Sequence, residues 1–458
     1  MSENDRLMVS VSGVRGVVGA SLTPRVGCEF GCAFGTMLGA GRTVVIGRDS
    51  RLSGPMLSAA VESGLMATGV NVVRLGVVTT PGVAMMTSRL HADGGVVVTA
   101  SHNPGQHNGI KFLQPIGTGL AAAEAARLKA LWQGGQFAYV PSERQGKPSS
   151  QETTHGVHVD AVCAVIDPLG IAARRFKVVL DSVNGAGCVV TPMLLGRLGC
   201  EVRHLNAEAS GQFAHPPEPV EENLHQLCQE VRKHRAAVGF AQDADADRLA
   251  IVDETGRFIG EEYTLALAAA FVLRHRKGKL ATNLVTSRMI DDIAAAAGCQ
   301  VVRAPTGEAN VVEAMRRESC ILGGEGGGGV IEPRVVPVRD SLVGMAYVLQ
   351  YLAETGKPLS KLVEEIPRYV MVKTKFPCPA GAAQTVAREV RKAFATRDGA
   401  VFNDADGLRI DLPQGWVCAR ASNTEPIMRI IAEAGDAQTA DALAAEVRKI
   451  ADAVIGGN

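Results

Sequence analysis

Three aspartates stand within five residues in Asp243-Ala-Asp-Ala-Asp-Arg248. Carboxylates this close repel one another unless a cation lies among them. Apolar runs at 237–240 and 249–252 flank them and read as strands. In a straight strand the first and third aspartates would be roughly 13 Å apart, too far to share an ion. The loop must therefore wrap, and Ala244 and Ala246 are small enough to let it. All-oxygen ligation favours Mg²⁺ or Ca²⁺ over zinc. The spacing matches a calcium EF-hand at its first, third and fifth positions, and Glu254 falls at the twelfth. Arg248, however, takes the sixth position, where the sharp turn needs glycine, and strands rather than helices flank the loop. Three ligands fit Mg²⁺, which keeps positions open for phosphate oxygens. The plain structural alternative is a solvated acidic hairpin tip.

A second group is Thr99-Ala-Ser-His-Asn-Pro104, after the apolar run Gly94-Gly-Val-Val-Val98. The run reads as a buried strand. Pro104 disfavours helical geometry at Asn103 and stops the strand. Ser101 is thus expected at a strand's carboxyl end, where open α/β sheets bind ligands. Neighbours on an extended chain point to opposite sides, so His102 is expected to be badly placed to deprotonate Ser101. There is no Gly-x-Ser-x-Gly elbow either. Both points weigh against a Ser-His hydrolase and leave phosphoryl chemistry or a simple polar turn.

Other groups are weaker alone. Gly323-Gly-Glu-Gly-Gly-Gly-Gly329 reads as a flexible loop in which Glu325 could accept hydrogen bonds from two neighbouring sugar hydroxyls. Arg420-Ala-Ser-Asn-Thr-Glu-Pro426, with Arg429 after it, joins two strands and suits a phosphate. Its plain reading is a capped turn. Arg15 in Ser12-Gly-Val-Arg-Gly16, the run Gly47-Arg-Asp-Ser-Arg51, and Lys111 in Asn108-Gly-Ile-Lys111 read individually as solvated charges.

The elements that must position these groups follow a repeating pattern. Strand, polar turn, helix and a Gly-led second strand recur from Thr43 to Arg74, from Phe176 to His204, and from Leu284 to Arg303. Such units are right-handed crossovers in a largely parallel sheet. Polar stretches at 134–152 and 253–256, and the region near Pro367, read as boundaries. Beyond Pro367 the pattern becomes a helix at 382–395, strands at 408–412, 417–419 and 427–432, and a closing helix at 437–454, a small α+β domain. The chain has 458 residues, with 47 basic and 47 acidic side chains. No global field therefore draws it to nucleic acid or an acidic membrane. No apolar run follows the polar start, so no secretory signal is expected, and the apolar run at 265–273 is too short to span a bilayer. Ten scattered cysteines read as reduced thiols in a cytoplasmic protein.

Taken together and in this order, the motifs resemble the α-D-phosphohexomutase superfamily over the whole chain. Its serine loop and phosphate loop are matched letter for letter, and the aspartate loop looks like its metal loop. Two places depart. Many bacterial members have Gly-Glu-x-Ser-Gly-His in the sugar loop, where this chain has Gly327 and Gly329. An archaeal-type Gly-Glu-x-Asn-Gly-Gly is nearer. The opening around Arg15 also lacks the usual Phe-Gly-Thr.

The resemblance implies three related α/β domains with mixed sheets plus a C-terminal α+β domain around a central active-site cleft. These would be 1–150 with the phosphoserine loop, 151–253 with the metal loop, 254–367 with the sugar loop, and 368–458 with the phosphate loop. It implies a phosphoserine at Ser101 and one Mg²⁺ on Ser101, Asp243, Asp245 and Asp247. A phosphoserine carries roughly −1.5 to −2 charge, which three neighbouring aspartates would expel without that ion. Arg15, Lys111 and Arg248 would surround the moving phosphoryl group. Lys111, its pKa lowered by neighbouring cations, is the candidate general base, with His102 as the other candidate. Thr306, Gly307, Gly324, Glu325, Arg420, Ser422, Asn423, Thr424 and Arg429 would contact the substrate. The implied reaction interconverts hexose 6-phosphate and hexose 1-phosphate, with hexose 1,6-bisphosphate as activating phosphate donor. Glucosamine is the first choice of sugar, mannose or glucose the second, and a non-catalytic phosphosugar-binding protein the remaining alternative. A monomer or homodimer is expected.

Overall fold

The computed structural model describes residues 6–379, 381–421 and 427–456. They form two compact units, one comprising the chain up to Arg276 with 321–363, the other comprising 277–320 with the chain from Glu364 onward.

The first unit holds a seven-stranded mixed sheet. Its parallel part pairs Thr43–Arg48 with both Asn71–Val77 and Gly94–Val98. Strand His107–Leu113 pairs antiparallel with Gly94–Val98 and with Gly13–Val17. Helices cover both faces, so neither face alternates with polar residues. Val44, Ile46, Val96 and Val98 pack to one side with Phe30 and Phe34. Val45 and Val97 pack to the other with Val83 and Met86. The second sheet runs Leu249–Asp253, Val238–Gln242, Lys177–Asp181, Glu201–Leu205. Its first two strands form an antiparallel hairpin and the others are parallel. The hairpin Leu322–Glu325 with Gly329–Ile331 also belongs to this unit.

In the second unit Leu280–Asn283 pairs in parallel with Val301–Ala304. The first strand ends at Asn283, just before Leu284, where the sequence pattern places its start. The reason is Asn283, whose side chain accepts from Val285 N at 2.9 Å and Thr286 Oγ1 at 3.0 Å and so turns the chain. The C-terminal part is a five-stranded antiparallel sheet, including Val370–Pro377, an edge strand the pattern did not mark. Helices Ala383–Phe394 and Ala437–Gly456 cover one face over Phe376, Ile410 and Ile430. The other face buries Trp416, whose Nε1 donates to Glu433 at 2.7 Å.

All ten cysteines are unpaired. Among the described residues no helix is long and apolar enough to cross a membrane. The run at 265–273 lies inside the helix Glu262–His275 and is nearly all buried.

Helices Pro24–Leu38 and Gly54–Ala67 touch through glycines. A Cβ on Gly31 would stand 2.2 Å from Val61 O, and one on Gly64 would stand 2.2 Å from Cys28 O. Backbone cannot yield there without parting the helices. Gly31→Ala should therefore destabilise the protein by about 1 kcal/mol or more, despite alanine's better helix propensity of ~1 kcal/mol. Urea unfolding reads the sign; a stabilised variant would show that the helices can part freely.

Candidate active site

The aspartate loop lies at the tip of the hairpin 238–253. Asp243, Asp245 and Asp247 are 0%, 0% and 1% exposed, and one oxygen from each falls within 4.8 Å of the others. Their loop wraps because Asp243 Oδ1 accepts from Asp247 N at 3.1 Å and Arg248 N at 3.2 Å. Ala246 sits at φ +56°, and its carbonyl accepts from Ser341 Oγ at 2.6 Å. Ala244 and Ala246 are fully buried, as the wrapping requires.

The serine loop meets this tip. Ser101 Oγ donates to Asp243 Oδ2 at 2.7 Å. Ser101 has φ +50°, in the left-handed region. That conformation is uncommon for a non-glycine residue and marks strain held by its surroundings. It also corrects the extended-chain reading of His102. The turn brings His102 Nδ1 to 3.4 Å from Ser101 Oγ, so the two side chains are adjacent.

The clamp on this turn is Arg51, which is not the solvated charge that its local sequence suggests. It is 1% exposed. Its guanidinium donates to the carbonyls of Ser101, Asn103, Pro104 and His107 at 2.6–3.0 Å and to Asp49 Oδ2 at 3.0 Å. Asp49 is itself fully buried and accepts from Thr99 Oγ1 at 2.6 Å. Its position offered a signal, since the strand Thr43–Arg48 ends beside the strand that leads to Ser101.

Cations and donors surround the carboxylates. Lys111 Nζ lies 2.7 Å from Asp245 Oδ2 and 3.6 Å from Asp247 Oδ2. Thr80 donates to Asp245 Oδ2 through Oγ1 at 2.5 Å. Arg339 Nη2 donates to Asp247 Oδ2 at 2.7 Å. Arg15 Nη1 donates to Asn103 Oδ1 at 3.3 Å. Arg248 and His102 both face Glu218 Oε1, at 3.8 and 3.9 Å. Thr80, Arg339 and Ser341 were not picked out in the sequence, because each contacts the site from far along the chain.

The charges bias one another. Burial, then Asp245 and Asp247, push Asp243 well above the usual carboxylate range. Burial also presses Asp245 upward, but Lys111 and the hydrogen bonds from Lys111 and Thr80 hold it below that range. Lys111 departs from expectation. Burial lowers its pKa, but Asp245 and Asp247 outweigh burial and raise it, so the ammonium form is favoured. The lowered pKa expected of a general base is therefore not found at Lys111. Burial, followed by Arg248 and Arg15, pushes His102 down to about 3.

The residues fit a divalent cation. Asp245 Oδ1 and Asp247 Oδ1 are buried without a hydrogen-bond partner, and buried acceptors of this kind call for an ion or a donor. A hard all-oxygen set of this kind suits Mg²⁺.

The glycine loop is packed, not flexible. Gly328 O accepts from Leu249 N at 2.8 Å, and a Cβ on Gly328 would stand 2.4 Å from Leu249 O. Glu325 is 8% exposed beside Gly324, and Arg339 Nη1 donates to its Oε2 at 2.9 Å. In the second unit, Arg420 Nη2 pairs with Asp406 Oδ2 at 3.1 Å, and Thr306 N donates to the same oxygen at 3.0 Å. Gly307, at φ +118°, precedes the helix Glu308–Glu318. Arg429 is exposed on the neighbouring strand, in register with Arg420. Ser422, Asn423 and Thr424 lie outside the described residues.

Comparison with known proteins agrees with this layout. The family models for phosphoglucomutase/phosphomannomutase α/β/α domains I, II and III match residues 6–138, 157–256 and 260–369, and the C-terminal domain model matches 373–450. The chain belongs to the phosphoglucomutase/phosphomannomutase family, the α-D-phosphohexomutases, isomerases that move a phosphate within a sugar. It is 40% identical to a "Phosphoglucomutase/phosphomannomutase" of Thermococcus kodakarensis, covering 92% of this chain and 93% of the relative. It is 39% identical to a "Probable phosphoglucosamine mutase" of Methanopyrus kandleri, with the same coverage. The crystal structure of a phosphoglucomutase/phosphomannomutase family protein from Burkholderia thailandensis superposes with a TM-score of 0.87 at 29% identity, covering 99% and 98% of the two chains.

Two outcomes are expected at this site. Arg51→Ala leaves Asp49 buried without its cation, so unfolding free energy should fall by about 3–5 kcal/mol; urea denaturation measures it, and a loss under ~1 kcal/mol would mean the clamp is dispensable. His102 should stay neutral through the working range. Because its folded pKa is lowered, the unfolded chain takes up the proton first as pH falls below ~6.5, and stability falls with it. His102→Gln should remove that share of acid destabilisation, and an NMR titration showing imidazole protonation near pH 6 would contradict it.

Proposed function

We propose that the chain interconverts hexose 6-phosphate and hexose 1-phosphate through a phosphoserine at Ser101, with glucosamine as the sugar. The observation that carries this is the hydroxyl of a strained, clamped serine held 2.7 Å from a buried carboxylate trio. An acceptor-rich pocket of this kind suits a transferring phosphoryl group only with a cation present. A Mg²⁺ ion held by Asp243, Asp245, Asp247 and the Ser101 oxygen would neutralise charge on that group.

The chain's own residues do the rest. The phosphoserine P–O bond breaks as a new one forms to the free sugar hydroxyl, giving a bisphosphate. Ser101 then takes back the other phosphate, which closes the cycle, and hexose 1,6-bisphosphate supplies phosphate to an enzyme that starts without it. Arg15, Arg248 and the ammonium of Lys111 stabilise charge around the transfer, mainly by position. His102, with Nδ1 3.4 Å from Ser101 Oγ, is the candidate that geometry places to move the hydroxyl proton. Lys111, donating to Asp245, serves as a charge. Glu325, beside Gly324, accepts from sugar hydroxyls. For the substrate's phosphate we assign Arg420, Arg429, Ser422, Asn423 and Thr424, the motif of the family's phosphate loop, together with Thr306, whose N–H donates to Asp406, and its sequence neighbour Gly307.

Glucosamine is favoured by the archaeal-type glycine loop and by the Methanopyrus kandleri relative's name. Glucose or mannose is the second reading, favoured by the Thermococcus kodakarensis relative's name. Assay of the three 6-phosphates side by side separates them.

Ser101→Ala should lower turnover roughly 10⁴-fold or more while the melting curve is kept. Intact-mass measurement should find a phosphorylated fraction of wild type after incubation with a hexose 1,6-bisphosphate, and none in the variant. Full activity in Ser101→Ala would end this reading.

A further inference from the structure

Gly329 and Arg339 share one space. A Cβ on Gly329 would stand 2.2 Å from Arg339 Cδ and 2.7 Å from its Cγ. The missing side chain at 329 is matched by the stem of this arginine. From there the guanidinium forks. Nη1 reaches Glu325 Oε2 at 2.9 Å and Nη2 reaches Asp247 Oδ2 at 2.7 Å. One planar group thus joins the acid of the glycine loop to the third aspartate of the metal loop. The three groups are largely out of water, with side-chain exposures of 15% for Arg339, 10% for Glu325 and 1% for Asp247.

The arginine is itself anchored. Next to it, Asp340 caps the helix Ser341–Thr355 by accepting from Leu342 N at 2.9 Å and is bound by His158 Nε2 at 2.7 Å. Two buried carboxylates that face the same small volume repel each other. The fork removes that repulsion and fixes the direction of Glu325. A lysine is a point charge and cannot bond both acids in plane.

We infer that Arg339 is the positioning residue for sugar recognition, holding Glu325 in place for the sugar hydroxyls and tying it to the metal loop through Asp247. This rests on the phosphohexomutase reading and assigns to position 339 what a longer side chain at 329 would otherwise do.

The test uses Arg339→Ala, Arg339→Lys, Gly329→Ala, Glu325→Ala and the double variant Arg339→Ala/Glu325→Ala. Steady-state kinetics on the hexose 6-phosphate, melting curves and Mg²⁺ titration calorimetry are read on each. Arg339→Ala should raise KM about 10- to 100-fold, with a smaller fall in kcat, and should lower the melting midpoint because two buried carboxylates lose their cation. Arg339→Lys should not rescue it. Gly329→Ala, whose Cβ displaces the stem, should move KM the same way. The double variant should lose no more than Glu325→Ala alone, because Arg339 acts through Glu325. Mg²⁺ affinity should weaken by about 10-fold in Arg339→Ala. Additive losses, an unchanged KM or full rescue by lysine would overturn the role in sugar recognition. Unchanged Mg²⁺ affinity would overturn the tie to the metal loop. A wild-type protein inactive on every hexose phosphate would instead overturn the function reading, and the Mg²⁺ titration still decides the Arg339–Asp247 link.

Discussion

Three buried carboxylates within 4.8 Å of one another set the electrostatic problem that the rest of the site answers. Taking even one such group out of water costs several kcal/mol, and their mutual repulsion adds to it. The fold meets this with cations and donors brought from separate segments. Lys111 comes from the seven-stranded sheet, Thr80 from the start of a helix in the same part of the chain, and Arg339 from just before another helix. The upward push on Asp243 shows that these partners do not balance the trio fully. That residual imbalance is what a divalent cation suits, and Asp243 is the carboxylate that Ser101 touches.

The serine depends on a second buried charge pair. Arg51 and Asp49 lie buried just beyond the end of the interior strand Thr43–Arg48, and Arg51 gives its donors to the carbonyls of the serine loop. A left-handed serine persists because those carbonyls are fixed. The same turn sets the relation of Ser101 to His102, bringing the imidazole to 3.4 Å from the hydroxyl. An extended chain would have parted them. Lys111 is biased toward its charged form by what lies beside it. The neighbours that matter most to it are carboxylates, not the cations further off.

The glycine loop illustrates how a run of one residue type can be misread. Seven residues with six glycines resemble a flexible linker. In place, Gly328 lies against Leu249 backbone and Gly329 against Arg339, so bare backbone is required by contact. Gly327 is different. A Cβ there would meet only the Arg248 guanidinium, at 3.8 Å or more, so nothing in the packing demands glycine at that position.

Local sequence determined a good deal by itself. The strands before Ser101, the hairpin around the aspartates, the first two strand–helix–strand units and the closing helix follow from apolar periodicity and from Pro104 and Gly as punctuation. So does the chemical type of the site, because three acids in five residues and a serine at a strand end have few uses, and both motifs are contiguous. What the chain order could not give were the long-range partners. Thr80, Arg339, Ser341 and Asp406 act on residues 92 or more positions away, and nothing in their own neighbourhood marks them, while Arg51, at a strand end, shows its position but not the carbonyls 50 residues on that it holds. Signs of pKa shifts belonged to the same class, since they depend on which charges the fold brings within a few ångströms. Periodicity is a local property of a chain, whereas burial and pairing of charge are properties of the packed molecule, and only the tertiary structure decided them.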